Sequence, residues 1–225
     1  MPDQRASPPA TAPATAARPA RAAPAVGGAR IVVGAAVVAV IAYAYVDGAR
    51  QGRVSPVDYL GYFTNLTSLL TSAILIVSAA RSPTGRSAGA EPLVWMRAAA
   101  VASMLVVAVI YNVVVPGTGT APPWVSAVLH VVFPLLVAAD WLLVGDRPAL
   151  PWRRLWLVLP YPLAWLVIVL VRGATDGWVP YGFLLPSHGA ASLALHVACL
   201  VVVLLAAGAA VWGSSRLPGL RGLAR

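Results

Sequence analysis

Residues 189–213 read GAASLALHVACLVVVLLAAGAAVWG, twenty-five residues without an Asp, Glu, Lys or Arg. A helix rises about 1.5 Å per residue and the hydrocarbon core of a bilayer is about 30 Å thick, so this run is long enough to cross it. Five further apolar stretches precede it, at 31–46, 58–80, 93–115, 124–144 and 153–172, joined by brief connections and without an obvious internal repeat. The shortest of them, 31–46, admits a second reading. It contains Ala42-Tyr43-Ala44, similar to a signal-peptidase site after a short apolar core, and cleavage there leaves five helices with the other orientations unchanged. The long segment in front argues for retention. The expectation is an all-α, polytopic membrane protein of about six transmembrane helices.

Soluble domains carry roughly 25% charged residues; this 225-residue chain carries 10%, against 60% hydrophobic. A soluble fold of this size has too little interior to hide so much apolar surface. The net charge of +9 comes from sixteen arginines and no lysine set against seven acidic residues. Nucleic-acid binding needs a basic face, whereas these arginines fall mostly in the short segments between apolar runs. No nucleic-acid partner is expected, and membrane lipids with anionic headgroups are. In a six-span topology Arg5, Arg18, Arg21, Arg30, Arg81, Arg86, Arg97, Arg147, Arg153, Arg154, Arg216, Arg221 and Arg225 lie on one side. Only Arg50, Arg53 and Arg172 lie on the other. Positive charge marks the cytoplasmic face, which puts both termini in the cytoplasm of a cell-membrane protein. Residues 1–29, rich in Ala, Pro and Arg without apolar periodicity, are expected to be disordered. Residues 30–213 hold the spans, and 214–225 form a basic cytoplasmic tail. The single cysteine, Cys199, excludes an internal disulfide and reads as a small buried apolar side chain.

Polar side chains are costly in hydrocarbon, so they face the bundle interior or mark function. Counted from the Arg-poor boundary, Thr64 and His130 lie about six residues in and His196 about seven, hence roughly 9–11 Å deep. Asn112 lies about three residues from the same boundary, within ~5 Å of it. Thr64, Thr67, Ser68 and Thr71 follow i, i+3, i+4 and i+7, a polar stripe on one helix face. The same pattern suits plain helix–helix packing in membranes. His130 is followed four residues later by Pro134, which has no N–H to give the carbonyl of residue 130. The helix is expected to bend there, and freed backbone at that depth needs protein or a water-lined cavity beside it. On the rim, Arg172 and Asp176 open a Gly/Pro-punctuated turn with Trp178 and Tyr181, and the charged pair is expected to satisfy itself. Trp178, Tyr181, Trp124 and Tyr62 suit the headgroup level. Asp140, ~15 Å along the helix from His130, is expected to pair with an arginine such as Arg97.

These residues admit a hydrolytic site. A threonine hydroxyl is a weak nucleophile until a neighbouring base takes its proton, and neutral imidazole, with a pKa near 6.5, suits that role. Thr64 is the candidate nucleophile and His130 the candidate base. Asn112, Asn65 or His196 are candidates to hold the imidazole, with Ser68, Arg172, Asp176 and Trp178 around the pocket. No stabiliser for a tetrahedral oxyanion is identifiable.

Tyr62-Phe63-Thr64-Asn65, His130 with Pro134, and Gly177-Trp178-Val179-Pro180-Tyr181-Gly182-Phe183 together resemble one family. It is the six-helix membrane family of androgen-induced gene one and the androgen-dependent tissue-factor-pathway-inhibitor (TFPI)-regulating protein, with many bacterial relatives. The likeness covers about residues 31 to 213 and spares both tails. The resemblance implies a threonine hydrolase that cleaves fatty acid esters of hydroxy fatty acids within the membrane, without a cofactor. The threonine and histidine that carry activity in the family fall on Thr64 and His130. This chain departs from the animal members around Thr64, where Asn65 and further hydroxyls stand in place of more apolar residues.

The leading expectation is therefore a membrane-embedded hydrolase of a lipid ester. A transporter or lipid-binding protein with a polar pocket is the alternative, although the broken paired repeats of many transporters are not visible. A hydrolytic zinc held by His130, His196 and His188 or Asp176 has no ligand-spacing motif behind it, and no metal is expected.

Overall fold

A computed structural model describes residues 23–52, 55–81, 91–119 and 121–220. Among these residues helix is the only regular structure, and six helices are long and apolar enough to cross a membrane. They are Pro24–Arg50 (span 1), Phe63–Arg81 (span 2), Pro92–Val114 (span 3), Pro123–Val144 (span 4), Trp152–Thr175 (span 5) and Ala190–Ser214 (span 6). The chain is a multi-pass membrane protein. Helices satisfy their own backbone groups, as hydrocarbon requires. Every span also turns large aliphatic side chains outward, among them Val32, Leu70, Val109, Leu135, Ile168 and Val202.

Span 1 starts earlier than the boundary expected at residue 30, so residues 24–29 belong to the helix and not to the tail. Pro24 stands in its first turn, where a missing N–H has no helical partner to lose. Ala42–Ala44 lie inside this unbroken helix, with Ala44 buried. Cys199 is exposed on span 6, contrary to the expectation of burial; a bilayer-facing surface is itself apolar, and a thiol is only weakly polar. The remaining expectations for the tails, residues 1–22 and 221–225, lie outside the described residues, as do Arg53 and Arg86.

Span 3 is the hub. Ala98, Ala102 and Met104 have no exposed surface, and two alanines one turn apart let neighbouring helices approach closely. Spans 1 and 2 also meet backbone to backbone: a Cβ added at Gly34 would lie 3.0 Å from the carbonyl oxygen of Ser72. The hydroxyl stripe of span 2 faces this interior. Thr67, Ser68, Thr71 and Ser72 are buried, and Thr67 shares a 2.8 Å hydrogen bond with the phenol of Tyr161.

Four charged side chains join the spans at one end. Arg30 of span 1 donates to both oxygens of Asp140 (2.8 and 3.0 Å) and to Asp146 (2.7 Å). Arg97 of span 3 donates to the same two carboxylates at 3.1 and 3.0 Å. The expected Asp140–Arg97 pair is thus present, enlarged by Arg30 and Asp146. Leu220 N–H donates to the Leu143 carbonyl at 2.8 Å, which returns the chain's last described residues to this same end.

Burial works against ionisation of Asp146, but Arg97 and Arg30 outweigh it and hold its carboxyl at about 2. A depressed carboxyl stabilises the fold above its unfolded value and loses that contribution as pH falls through the folded value. The melting temperature of the detergent-solubilised protein is therefore expected to drop as pH is lowered from 3.8 toward about 2. Asp146→Ala leaves two buried arginines sharing the one carboxylate of Asp140, with a positive charge uncompensated, and is expected to cost about 3–5 kcal/mol. Size-exclusion and thermal melts check this; wild-type stability in the variant contradicts it.

Candidate functional site

At the opposite end of the bundle a cavity of about 410 Å³ receives residues from all six spans. Asp47 comes from span 1, Thr64 and Asn65 from span 2, Tyr111 from span 3, His130 from span 4, Trp165 from span 5 and Leu204 from span 6. Tyr181, from the loop before span 6, also lines it.

The approach to Thr64 is a broken helix. Ser55 caps a short turn, Pro56–Gly61, by accepting from Asp58 N–H at 3.1 Å. The turn ends at Tyr62, whose backbone is extended (φ −67°, ψ 128°), and span 2 begins at Phe63. Gly61 lies under the Trp178 indole, where a Cβ would overlap the ring, and its carbonyl accepts from Trp165 Nε1 at 2.8 Å. Thr64 is consequently the second residue of its span, not the sixth or so of a continuous helix from residue 58 as expected. The first amides of a helix have no partner within it. Here the phenol of Tyr181 stands beside the amides of Phe63 and Thr64 and beside the Thr64 hydroxyl. Burial raises Tyr181 to about 12 against these donors, so the phenol is neutral at physiological pH.

The histidine also stands on altered helix. Span 4 widens into a π turn over Val128–Val132, with Phe133 N–H bonded to the Val128 carbonyl. Pro134 leaves the His130 carbonyl free, as expected, and Asn112 Nδ2 donates to it at 3.2 Å. Asn112 itself sits in a π turn of span 3, Ile110–Val114. The two widened turns face each other, so that Tyr111 stacks on His130 with centroids 3.5 Å apart and planes 9° from parallel. His130 Nδ1 lies 2.9 Å from the Ser126 carbonyl. A carbonyl only accepts, so Nδ1 carries the proton there and Nε2 of the neutral ring carries the lone pair.

Several expected roles are redistributed. The imidazole is held by a backbone carbonyl and a tyrosine face, and not by Asn112, Asn65 or His196. Asn112 supports the histidine's carbonyl instead, and Asn65 lines the cavity while its amide donates to the Tyr59 carbonyl at 2.8 Å. His196 does not line the cavity. Its Nδ1 bonds the Ser192 carbonyl at 2.8 Å and its ring stacks on Phe183. Ser68 is fully buried one turn beyond Thr64, outside the cavity lining, so packing accounts for it. Of the stripe, only Thr64 reaches the cavity.

Arg172, Asp176 and Trp178 form a rim clasp outside the lining. Arg172 bonds Asp176 and Asp58, each at 2.8 Å, with its guanidinium 4.2 Å from the Trp178 ring centroid. The expected Arg172–Asp176 pair is present and gains Asp58. Among the described residues no group of three His, Cys, Asp or Glu stands close enough to hold a metal. Sequence reading missed Tyr111, the Ser126 carbonyl and the amides at the start of span 2. It took Tyr181 for a headgroup-level aromatic.

No protein-family model, curated protein or solved structure matches the chain.

Asn112→Ala removes the donor that satisfies the carbonyl freed by Pro134. It is expected to lower stability by about 1 kcal/mol, read as a lower melting temperature; an unchanged melt contradicts that role.

Proposed function

We propose that this protein is a membrane-embedded hydrolase of a lipid ester, with Thr64 as nucleophile and His130 as general base. The observation that carries the reading is a single cavity bordered by Thr64 and by His130, whose Nδ1–H is tied to a carbonyl and whose Nε2 is left to act as the base. In this mechanism Thr64 Oγ attacks the ester carbonyl and its proton passes to His130 Nε2. The carbonyl electron pair moves onto oxygen. Collapse breaks the bond to the alcohol oxygen, which leaves with the proton from His130. Water then repeats the sequence on the acyl-threonine and releases the acid. Phe63 and Thr64 open span 2, so their amides have no helical partner, and both residues line the cavity, which offers donors of the kind an oxyanion needs. The resemblance to the androgen-induced gene one family, whose active threonine and histidine fall on the same two positions, supports the reading. The arginine asymmetry supports cytoplasmic termini in a cell membrane and a cavity toward the outer leaflet.

The test is hydrolysis of a fluorogenic long-chain ester by purified protein in mixed micelles. Thr64→Ala is expected to abolish turnover and Thr64→Ser to retain it, while His130→Ala lowers it by about 10²–10⁴-fold. Wild-type turnover by Thr64→Ala removes the nucleophile. A non-catalytic lipid carrier is favoured by one observation, the neighbouring position of the Tyr181 phenol and the Thr64 hydroxyl in the cavity lining. That reading predicts stabilisation by lipid without product, equally in Thr64→Ala.

A further inference from the structure

The cavity's polar wall is distinctive for its charge. Thr64, Asn65, Thr118, Ser126 and the tyrosines 59, 62, 111 and 181 are uncharged groups, His130 presents an imidazole whose Nδ1 is held by the Ser126 carbonyl, and the remaining ionisable side chain is an acid, Asp47. Among the described residues no arginine lines the cavity, in a chain that has no lysine at all. Arg50 lies one turn beyond Asp47 and is not part of the lining. Arg172 is committed to Asp58, Asp176 and the Trp178 face. The two arginines of the ion cluster, Arg30 and Arg97, lie at the other end of the bundle.

An ionised group taken out of water without a paired opposite charge is strongly disfavoured. Aromatic faces carry negative quadrupole potential, which draws cations and repels anions. An ester carbonyl and a neutral hydroxyl or amide need only the donors and acceptors that this wall offers. A volume of about 410 Å³ falls in the range of a whole small ligand and not of a lone ion.

We propose that the cavity selects a lipid ester with an uncharged head and rejects one that carries a free carboxylate into the site. This rests on the cavity being the substrate site of the proposed hydrolase, and it names the substrate class. Fatty acid esters of hydroxy fatty acids, which end in a free carboxylate, are disfavoured by this wall.

The experiment uses the full wild-type chain in mixed micelles with two non-hydrolysable ether-linked analogues. They are identical in chain and length, but one ends in a carboxylate and the other in a primary carboxamide of the same shape. Apparent affinities come from the shift of the tryptophan-fluorescence melt, at a pH well above the acid's pKa. The carboxamide is expected to bind at least about tenfold tighter, a difference of roughly 1.4 kcal/mol. Equal or tighter binding of the carboxylate overturns the proposal, and so does binding of neither analogue. Turnover of the fluorogenic ester is measured separately. Preference for the carboxamide without any turnover leaves the selectivity standing and removes the catalytic reading. Turnover with preference for the carboxylate does the reverse.

Discussion

Arg30, Arg97, Asp140 and Asp146 meet in a largely buried corner where each charge faces two of opposite sign. Two bidentate-capable guanidinium groups facing two carboxylates fix where spans 1, 3 and 4 stand relative to one another along the membrane normal. Aliphatic helix surfaces in lipid give no such register, since sliding by a turn exchanges one apolar contact for another. With the register set at this end, the opposite ends of spans 3 and 4 arrive at matching height. There the two π turns face each other, Asn112 reaches the carbonyl that Pro134 frees, and Tyr111 covers the imidazole. The site is positioned by charges that begin ~15 Å away along span 4.

The molecule separates its charges from its cavity. Arginines gather at the end that holds the ion cluster, several stacked on tryptophan: Arg147 on Trp141, Arg154 on Trp95 and Arg216 on Trp152. Tyrosines 59, 62, 111 and 181 gather at the other, around the cavity. The rim clasp of Arg172 closes over Asp58 and Asp176 and keeps its charge outside the hollow. Helix irregularity follows the same division. The break at Tyr62 and both π turns border the cavity, where polar partners satisfy the disturbed backbone, as membrane depth demands.

The six spans were legible because bilayer thickness sets a length that composition reveals directly. The start of span 1 was not, since Pro, Ala and Gly at residues 24–28 suit a tail and a helix entrance equally. The inward face of the span 2 stripe could be read from its period, but periodicity cannot separate Thr64 from Ser68, which differ only in whether a loop tyrosine reaches them. Pro134 announced a freed carbonyl, because its missing N–H is a property of the residue itself. The groups that received such freed or unsatisfied atoms were invisible: a backbone carbonyl at Ser126, the amides of Phe63 and Thr64, and Asn112 acting on backbone instead of on the ring. Tertiary backbone partners leave no mark in composition or spacing.

The central claim, that Thr64 is activated within this cavity, is tested most directly by incubating the protein with a long-chain β-lactone and mapping the adduct by mass spectrometry. Such a strained ester opens on an activated hydroxyl and stays attached as its acyl group. The account predicts one lactone mass per chain on the peptide containing Thr64, with labelling that slows when His130 is replaced. An unlabelled chain, or a label on another residue, contradicts it.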